Sequence, residues 1–346
     1  LSRNSPKKSV TLLFEKKIMT DSFQQRNAIG VVLLNLGGPE KLEDVEPFLF
    51  NLFSDRKIIR LGPSFMQKFI ARRIAKKRAP TSMESYRLIG GGSPLAATTL
   101  AQGAALEKML AGYGDFKVDM AMRYWPPYAD ETLAKMAAAG IGRLVGLTLY
   151  PHYSIATTGS SVDDLKESVA GSNNEFDLAL VEAWPDQPDY IACLAENIRE
   201  GLRQFGGEAV ELVYSAHSLP KKFIDEGDPY LDHMARTIKA VETETGIKGY
   251  LCFQSRSGPV EWLTPSTPEM MAKLAAGGSK NLLMVPISFV SDHVETLYEI
   301  DILYRGQAEK LGMRLERVES LNVQDDFIRG LRELVLGACR EKGWLR

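Results

Sequence analysis

Leu144–Ser154 reads LVGLTLYPHYS, and Leu282–Phe289 reads LLMVPISF. In each, an unbroken apolar run leads to a proline and a short loop. A run without polar alternation is the pattern of a strand covered on both faces, as in a parallel sheet. Strands are therefore expected at Leu144–Tyr150 and Leu282–Ile287. Six more runs of this character are Gly30–Leu36, Val118–Tyr124, Leu178–Ala183, Val210–Ser215, Tyr250–Gln254 and Arg314–Glu319. Helical periodicity separates them at Leu95–Leu110, Ile191–Gln204, Tyr230–Thr245, Val294–Leu311 and Phe327–Arg340. Strands alternating with helices predict an α/β protein with parallel sheets.

The two quoted stretches also match each other. RYWPP (Arg123–Pro127) parallels RSGP (Arg256–Pro259), and VEAWPDQPDYI (Val181–Ile191) parallels VESLNVQDDFI (Val318–Ile328). The three pairs begin at Arg123 and Arg256, Leu149 and Met284, and Val181 and Val318, so they lie 133, 135 and 137 residues apart. Near-constant spacing points to duplication of an open α/β domain, with the ligand cleft between the copies. NLGGP and AHSLP end at Pro39 and Pro220, 181 residues apart, so the first copy carries an insertion, placed at 56–94. The expected division is an extension at 1–27, a first domain at 28–155 and a second at 156–322. The helix in 323–346 is expected to return to the first domain.

Composition narrows the function. Across 346 residues the formal net charge is -2, without the basic excess of a nucleic-acid binder. Cys193, Cys252 and Cys339 are too few to ligate an iron–sulfur cluster and suit a reducing cytoplasm. No apolar run approaches the roughly 20 residues of a membrane span. The apolar stretch Val10–Phe14 is shorter than a signal-peptide core, and Met19 is a candidate start.

FMQKFIARRIAKKR (Phe65–Arg78) places Phe65, Phe69, Ile70 and Ile74 on one helical face and basic residues over much of the rest. It reads as a helix on an anionic membrane surface, or as a surface helix with its apolar face on the core. Pro63 and Pro80 are expected to bound it.

Of the four histidines, His152, His217 and His293 fall just past the ends of expected strands, where ligands bind in open parallel sheets. His233, within a helix, reads as a surface residue. In SDHVETLYEID, Glu295 and Glu299 are spaced i, i+4, with Asp292 extending the stripe. Adjacent carboxylates suggest a cation path, or a local capping box between Asp292 and Glu295. The three glycines of YRLIGGGSP (Tyr86–Pro94) could cradle a phosphate or allow close backbone approach. No Walker lysine follows them. TTGSS (Thr157–Ser161) reads as a helix cap.

Together LNLGGPE, YRLIGGGSP, MRYWPP, YPHYSIATTGSS, SAHSLP, GDPY, QSRSGPVEWLTP and PISFVSDHVETLYEID resemble the ferrochelatases, in family order from about residue 29 to 322. The resemblance implies a chelatase fold of two Rossmann-like domains, and insertion of Fe2+ into protoporphyrin IX with no cofactor beyond the iron substrate. It implies that His217 and Glu295 face each other across the porphyrin as catalytic and metal-handling residues, supported by His293 and Glu299. Tyr86, Ser93, Arg123, Tyr124 and Trp262 match positions lining the porphyrin pocket. The insertion would form a lip, with peripheral membrane contact through Phe65–Arg78 on the inner face of the cell membrane. Leu303 stands where some relatives carry a further acidic residue, which removes a carboxylate from that turn. LNLGGP, RYWPP and QSRSGP look more like the protoporphyrin group than the coproporphyrin III group.

Overall fold

The computed structural model describes residues 28–256, 258 and 260–345. The expected N-terminal extension, with Met19, lies outside the described residues, as do Ser257 and Pro259 of the RSGP repeat.

Eight strands form two four-stranded, all-parallel sheets. The first contains β1 (Ile29–Asn35), β2 (Phe116–Met122), β3 (Arg143–Thr148) and β4 (Asp177–Val181), in the order β2-β1-β3-β4. The second contains β5 (Glu211–His217), β6 (Gly249–Gln254), β7 (Asn281–Pro286) and β8 (Arg314–Arg317), in the order β6-β5-β7-β8. The same order in both halves is what duplication requires. Every strand expected from the sequence is present, with ends shifted by at most two residues.

Both faces of the central strands are covered, which is why they read as continuous apolar runs. In β1, Val31 and Leu33 join one apolar cluster while Val32 and Leu34 join another on the opposite face. The first cluster runs through both halves and includes Leu147, Tyr214, Leu283 and Leu336. The helix Asp325–Glu341 supplies Phe327, Ile328, Leu331, Val335 and Leu336, and packs against β3, β4 and the helix Leu95–Leu110.

The added segment of the first half follows the helix Val45–Ser54. It holds a helix of 22 residues, Gln67–Leu88. This corrects the expected stop at Pro80, which lies inside the helix. Proline costs a helix one hydrogen bond and some steric strain; packing of the flanking turns offsets that cost here. Of the two readings of this segment, the one that turns the Phe65 and Phe69 face to the core is not what forms. Gln67, Ala71, Ala75 and Ala79 are buried, whereas Phe65 is 83% and Phe69 61% exposed. Small residues at i, i+4 let this helix lie close against Val45–Ser54; Phe65 and Phe69 are left outside, while Ile74 packs partly against the same cluster.

Gly90 and Gly91 have φ of +106° and +95°, the left-handed region that favours glycine. A Cβ on Gly92 would sit 2.0 Å from the Glu40 carbonyl oxygen, and Ser93 N–H donates to the Pro39 carbonyl at 2.7 Å. The close approach is thus between YRLIGGGSP and LNLGGPE, which lock the far end of the insertion to the loop after β1.

Candidate active site

His217 is the last residue of β5, and Glu295 begins the π-helical segment Glu295–Tyr304 that follows β7. Because β5 and β7 are paired neighbours, both side chains arise at the same carboxyl-terminal edge. His217 Nδ1 and Glu295 Oε2 are 2.7 Å apart. That contact leaves Nε2 as the ring nitrogen available to a ligand. The His217 carbonyl accepts from the Tyr230 hydroxyl at 3.1 Å, which fixes the strand end.

The resemblance implied that this pair faces each other across the porphyrin. At 2.7 Å no macrocycle fits between them, so here they share one wall of the site. The sequence anticipated the pairing but not the contact, because strand-end side chains can splay or converge by small rotations.

Ser255 was missed. It follows β6 with φ of +65°, an uncommon conformation for a non-glycine residue. Its Oγ lies 2.7 Å from Glu295 Oε2 and 2.6 Å from Glu299 Oε2. Gln254 Nε2 donates to Glu299 Oε2 at 3.1 Å and to the Glu295 carbonyl at 2.9 Å. A serine hydroxyl has one proton and can satisfy one carboxylate at a time. A proton on one of the two glutamates completes the set.

Electrostatics assigns that proton. Burial pushes the Glu299 carboxyl up, and the charge of Glu295 adds to it, to about 7. Burial also favours a neutral Glu295, but the charge and hydrogen bond of His217 outweigh it and hold Glu295 low. Burial lowers His217, yet the charge and hydrogen bond of Glu295 leave it raised above the usual imidazole value. The contact thus favours the charged form of both partners, with His217 raised and Glu295 lowered, beside a glutamate poised near neutrality between its two forms.

This gives a pH test of the assignment. Glu299 binds its proton more tightly folded than unfolded, so it makes stability fall as pH rises from about 4.5 to about 7. Glu299→Gln should shrink the drop in Tm between pH 5 and pH 7.5. An unchanged drop would mean that Glu299 titrates normally.

Two further expectations are corrected. Asp292 does not extend the acidic stripe or form a capping box with Glu295. Its carboxylate accepts from Ser320 Oγ at 2.7 Å, Asn322 Nδ2 at 2.9 Å and Thr296 Oγ1 at 3.2 Å, and pairs with Arg317 at 3.2 Å. His233 is not simply a surface residue, because its Nδ1 accepts the Tyr153 N–H at 3.1 Å and ties the YPHYS loop to the second half. His152 is buried, with Nε2 2.8 Å from Thr237 Oγ1. His293 is buried against Phe289, ring centroids 4.3 Å apart, and burial lowers it toward neutrality. Among the described residues, no three His, Cys, Asp or Glu side chains form a ready metal site.

Tyr86 is buried in the cluster that also holds Tyr124 and Val294, close enough to Glu295 to feel its charge. Ser93 packs against Gly38 in the locked loop. Residues 261–263 pair with 219–221, just past His217, and the buried Trp262 indole N–H has no partner among the described residues. Arg123 and Tyr124 are already engaged by Asp55, another residue the sequence did not flag. Asp55 Oδ2 accepts from the Tyr124 hydroxyl at 2.8 Å, from Arg123 Nη2 at 3.1 Å and from Ser160 Oγ. Ser160 therefore serves this network rather than a helix cap.

Two duplicated parallel-sheet halves with a histidine and acidic residues gathered at one sheet edge define a two-domain α/β protein of the chelatase class. SirB from Bacillus subtilis with Fe3+ has this fold, with a TM-score of 0.53 at 10% identity, over 91% of this chain and 98% of that one. The sirohydrochlorin chelatase SirB from Bacillus subtilis subspecies spizizenii in complex with cobalt gives 0.51 at 8%, over 91% and 97%. At such identities the likeness concerns the fold alone. Residues 28–338 match the ferrochelatase family model. The ferrochelatase of Desulfotalea psychrophila is 60% identical over 307 residues, 89% of this chain and 96% of that one. That of Geotalea uraniireducens is 54% identical over 308 residues, 88% and 96%. The chain belongs to the ferrochelatase family.

Proposed function

We propose that this protein inserts Fe2+ into protoporphyrin IX, with release of the two pyrrole protons. The observation that carries this reading is the 2.7 Å contact between His217 and Glu295 at the shared edge of β5 and β7. Substrate choice rests on LNLGGP, RYWPP and QSRSGP, which resemble the protoporphyrin group.

Insertion requires a nitrogen lone pair to turn out of the ring plane, a ground-state distortion sustained by binding energy elsewhere on the porphyrin. Glu295, held ionised, suits an arriving dication. A dication beside it disfavours the protons on His217 and Glu299, because like charges repel. Loss of its proton to solvent frees the His217 imidazole to accept the two pyrrole protons in turn as a general base, passing the first to solvent before taking the second. Ser255, touching both glutamates, offers the route between them. Tyr86 and Trp262 supply apolar walls for a flat ligand.

The test is anaerobic insertion of Fe2+ with protoporphyrin IX and with coproporphyrin III as separate substrates. Faster turnover on protoporphyrin IX is expected. Preference for coproporphyrin III would reassign the substrate, and tight porphyrin binding without insertion would make the protein a carrier.

Peripheral membrane contact belongs to the same proposal. No helix among the described residues is long and apolar enough to cross a membrane. Phe65, Met66 and Phe69 are exposed beside Lys68, Arg72 and Arg73, the composition of a helix lying in an anionic interface. Co-sedimentation with anionic vesicles should fall several-fold in Phe65→Ser/Phe69→Ser. Equal binding by wild type and variant would place the contact elsewhere.

A further inference from the structure

The two halves carry the same arrangement at the same place, but only one copy is the candidate active site. Each sheet's third strand, β3 or β7, leads into a helix with π-helical turns, which precede Ser160 at Ile155–Gly159 in the first half and start at Glu295 in the second. The 135-residue offset of LYPHYS and MVPISF carries Ser160 onto Glu295 and Asp164 onto Glu299. In the second half, Ser255 after β6 bridges Glu295 and Glu299. In the first, Arg123 after β2 bridges the equivalent pair, with Nε 2.7 Å from Ser160 Oγ and Nη1 3.1 Å from Asp164 Oδ1.

The correspondence stops at the residue met by the first member of each pair. Glu295 meets His217, from the end of the first strand of its sheet. Ser160 meets Asp55, which lies where the insertion leaves the helix Val45–Ser54. Asp55 is largely buried, with its side chain 9% exposed. Its other oxygen accepts the Lys57 N–H at 2.7 Å, and the Lys57 ammonium pairs with Asp163 and donates to the Gly159 carbonyl at 3.3 Å. The root of the insertion is thus fastened to segments following β2 and β3. The far end of the insertion is fastened separately, by the Gly92–Glu40 approach. Between these anchors lies Tyr86, packed in one cluster with Tyr124 and Val294.

We infer that the first half's copy of the catalytic cluster has become a clamp on the insertion, with Asp55 as the positioning residue that sets the porphyrin-facing wall. This inference rests on the proposed porphyrin substrate. Asp55 acts through Tyr124, Arg123 and Ser160, not on iron. Its loss should therefore weaken porphyrin binding and leave the iron-handling pair intact.

The test compares full-length wild type with Asp55→Asn and Asp55→Ala. Asparagine keeps an acceptor for Tyr124 and Ser160 but loses the charge that holds Arg123. Porphyrin binding is read directly, by quenching of tryptophan fluorescence with protoporphyrin IX in the absence of iron. In Asp55→Ala, the porphyrin Kd and KM should rise about tenfold or more, with the KM for Fe2+ and the pH profile of kcat unmoved. Asp55→Asn should fall between. A lower Tm with unchanged porphyrin Kd would reduce Asp55 to a stabilising residue and overturn the inference. A raised KM for Fe2+ or a shifted pH profile would overturn it too. If wild type itself bound no porphyrin, the proposed function would fail first. If all three bound equally, only the clamp would fail.

Discussion

His217→Ala is expected to lower iron insertion by about 10²–10⁴-fold, the range for removing a positioned general base, while porphyrin still binds. The reason lies in how the pair divides its atoms. Nδ1 is taken by Glu295, so only Nε2 of this ring can meet a substrate. No neighbouring imidazole can replace it, because His293 is buried against Phe289 and His152 against Thr237. The deletion also removes the cation that holds Glu295 ionised, so Glu295 should take up a proton at higher pH than in wild type. Some stability is lost with the pair. The His217 side chain is 34% exposed, which keeps the loss below the roughly 3–5 kcal/mol of a fully buried pair. His217→Asn guards against a folding artefact, since its amide keeps a polar group near the position of Nδ1 facing Glu295. Anaerobic insertion and porphyrin fluorescence titration on both variants decide the matter. Turnover within a few-fold of wild type would reject His217 as the base.

Glu295→Gln should be as severe for a different reason. The amide is nearly isosteric but neutral, so three things change together. His217 loses the charge that raises it and falls toward the neutral imidazole, while Glu299 loses the like charge that pushes it up. The site keeps the Glu299 carboxylate, more readily ionised than before, beside a neutral ring, and the arriving dication loses the anion that touched His217 at the β5–β7 edge. Activity is expected to fall by about 10²-fold or more, and raising Fe2+ should not restore it. The informative measurement is kcat at saturating iron. Recovery there, with only the KM for Fe2+ raised, would limit Glu295 to delivery of the metal.

Much of this was legible before folding, and the reasons are particular. Strands such as Leu282–Ile287 showed themselves because burial on both faces forbids polar interruption. The duplication showed itself because loops after equivalent strands kept similar residues at a steady spacing. His217 and Glu295 were legible as strand-end residues rich in chemistry. Ser255 and Asp55 were not, because a lone serine or aspartate carries no periodic signal and gains its role only when three loops converge. The length of Gln67–Leu88 escapes a reading in which proline is judged by its local cost, while here Ala71, Ala75 and Ala79 before Pro80 and the buried Tyr86 after it hold the helix on both sides of the proline. The same alanines explain why Phe65 and Phe69 face outward, since a close-packed inner face has no room for aromatic rings.

The placement of Asp325–Glu341 bears on how the molecule is assembled in time. This helix covers β3, β4 and the helix Leu95–Leu110, all made long before it during translation. Nascent chains settle from the front as they emerge, yet here β3 and β4 lack this cover until residues 325–341 have been made. The growing polypeptide would thus carry a sticky surface until then, and a product stopping before residue 325 would be prone to chaperone capture and clumping.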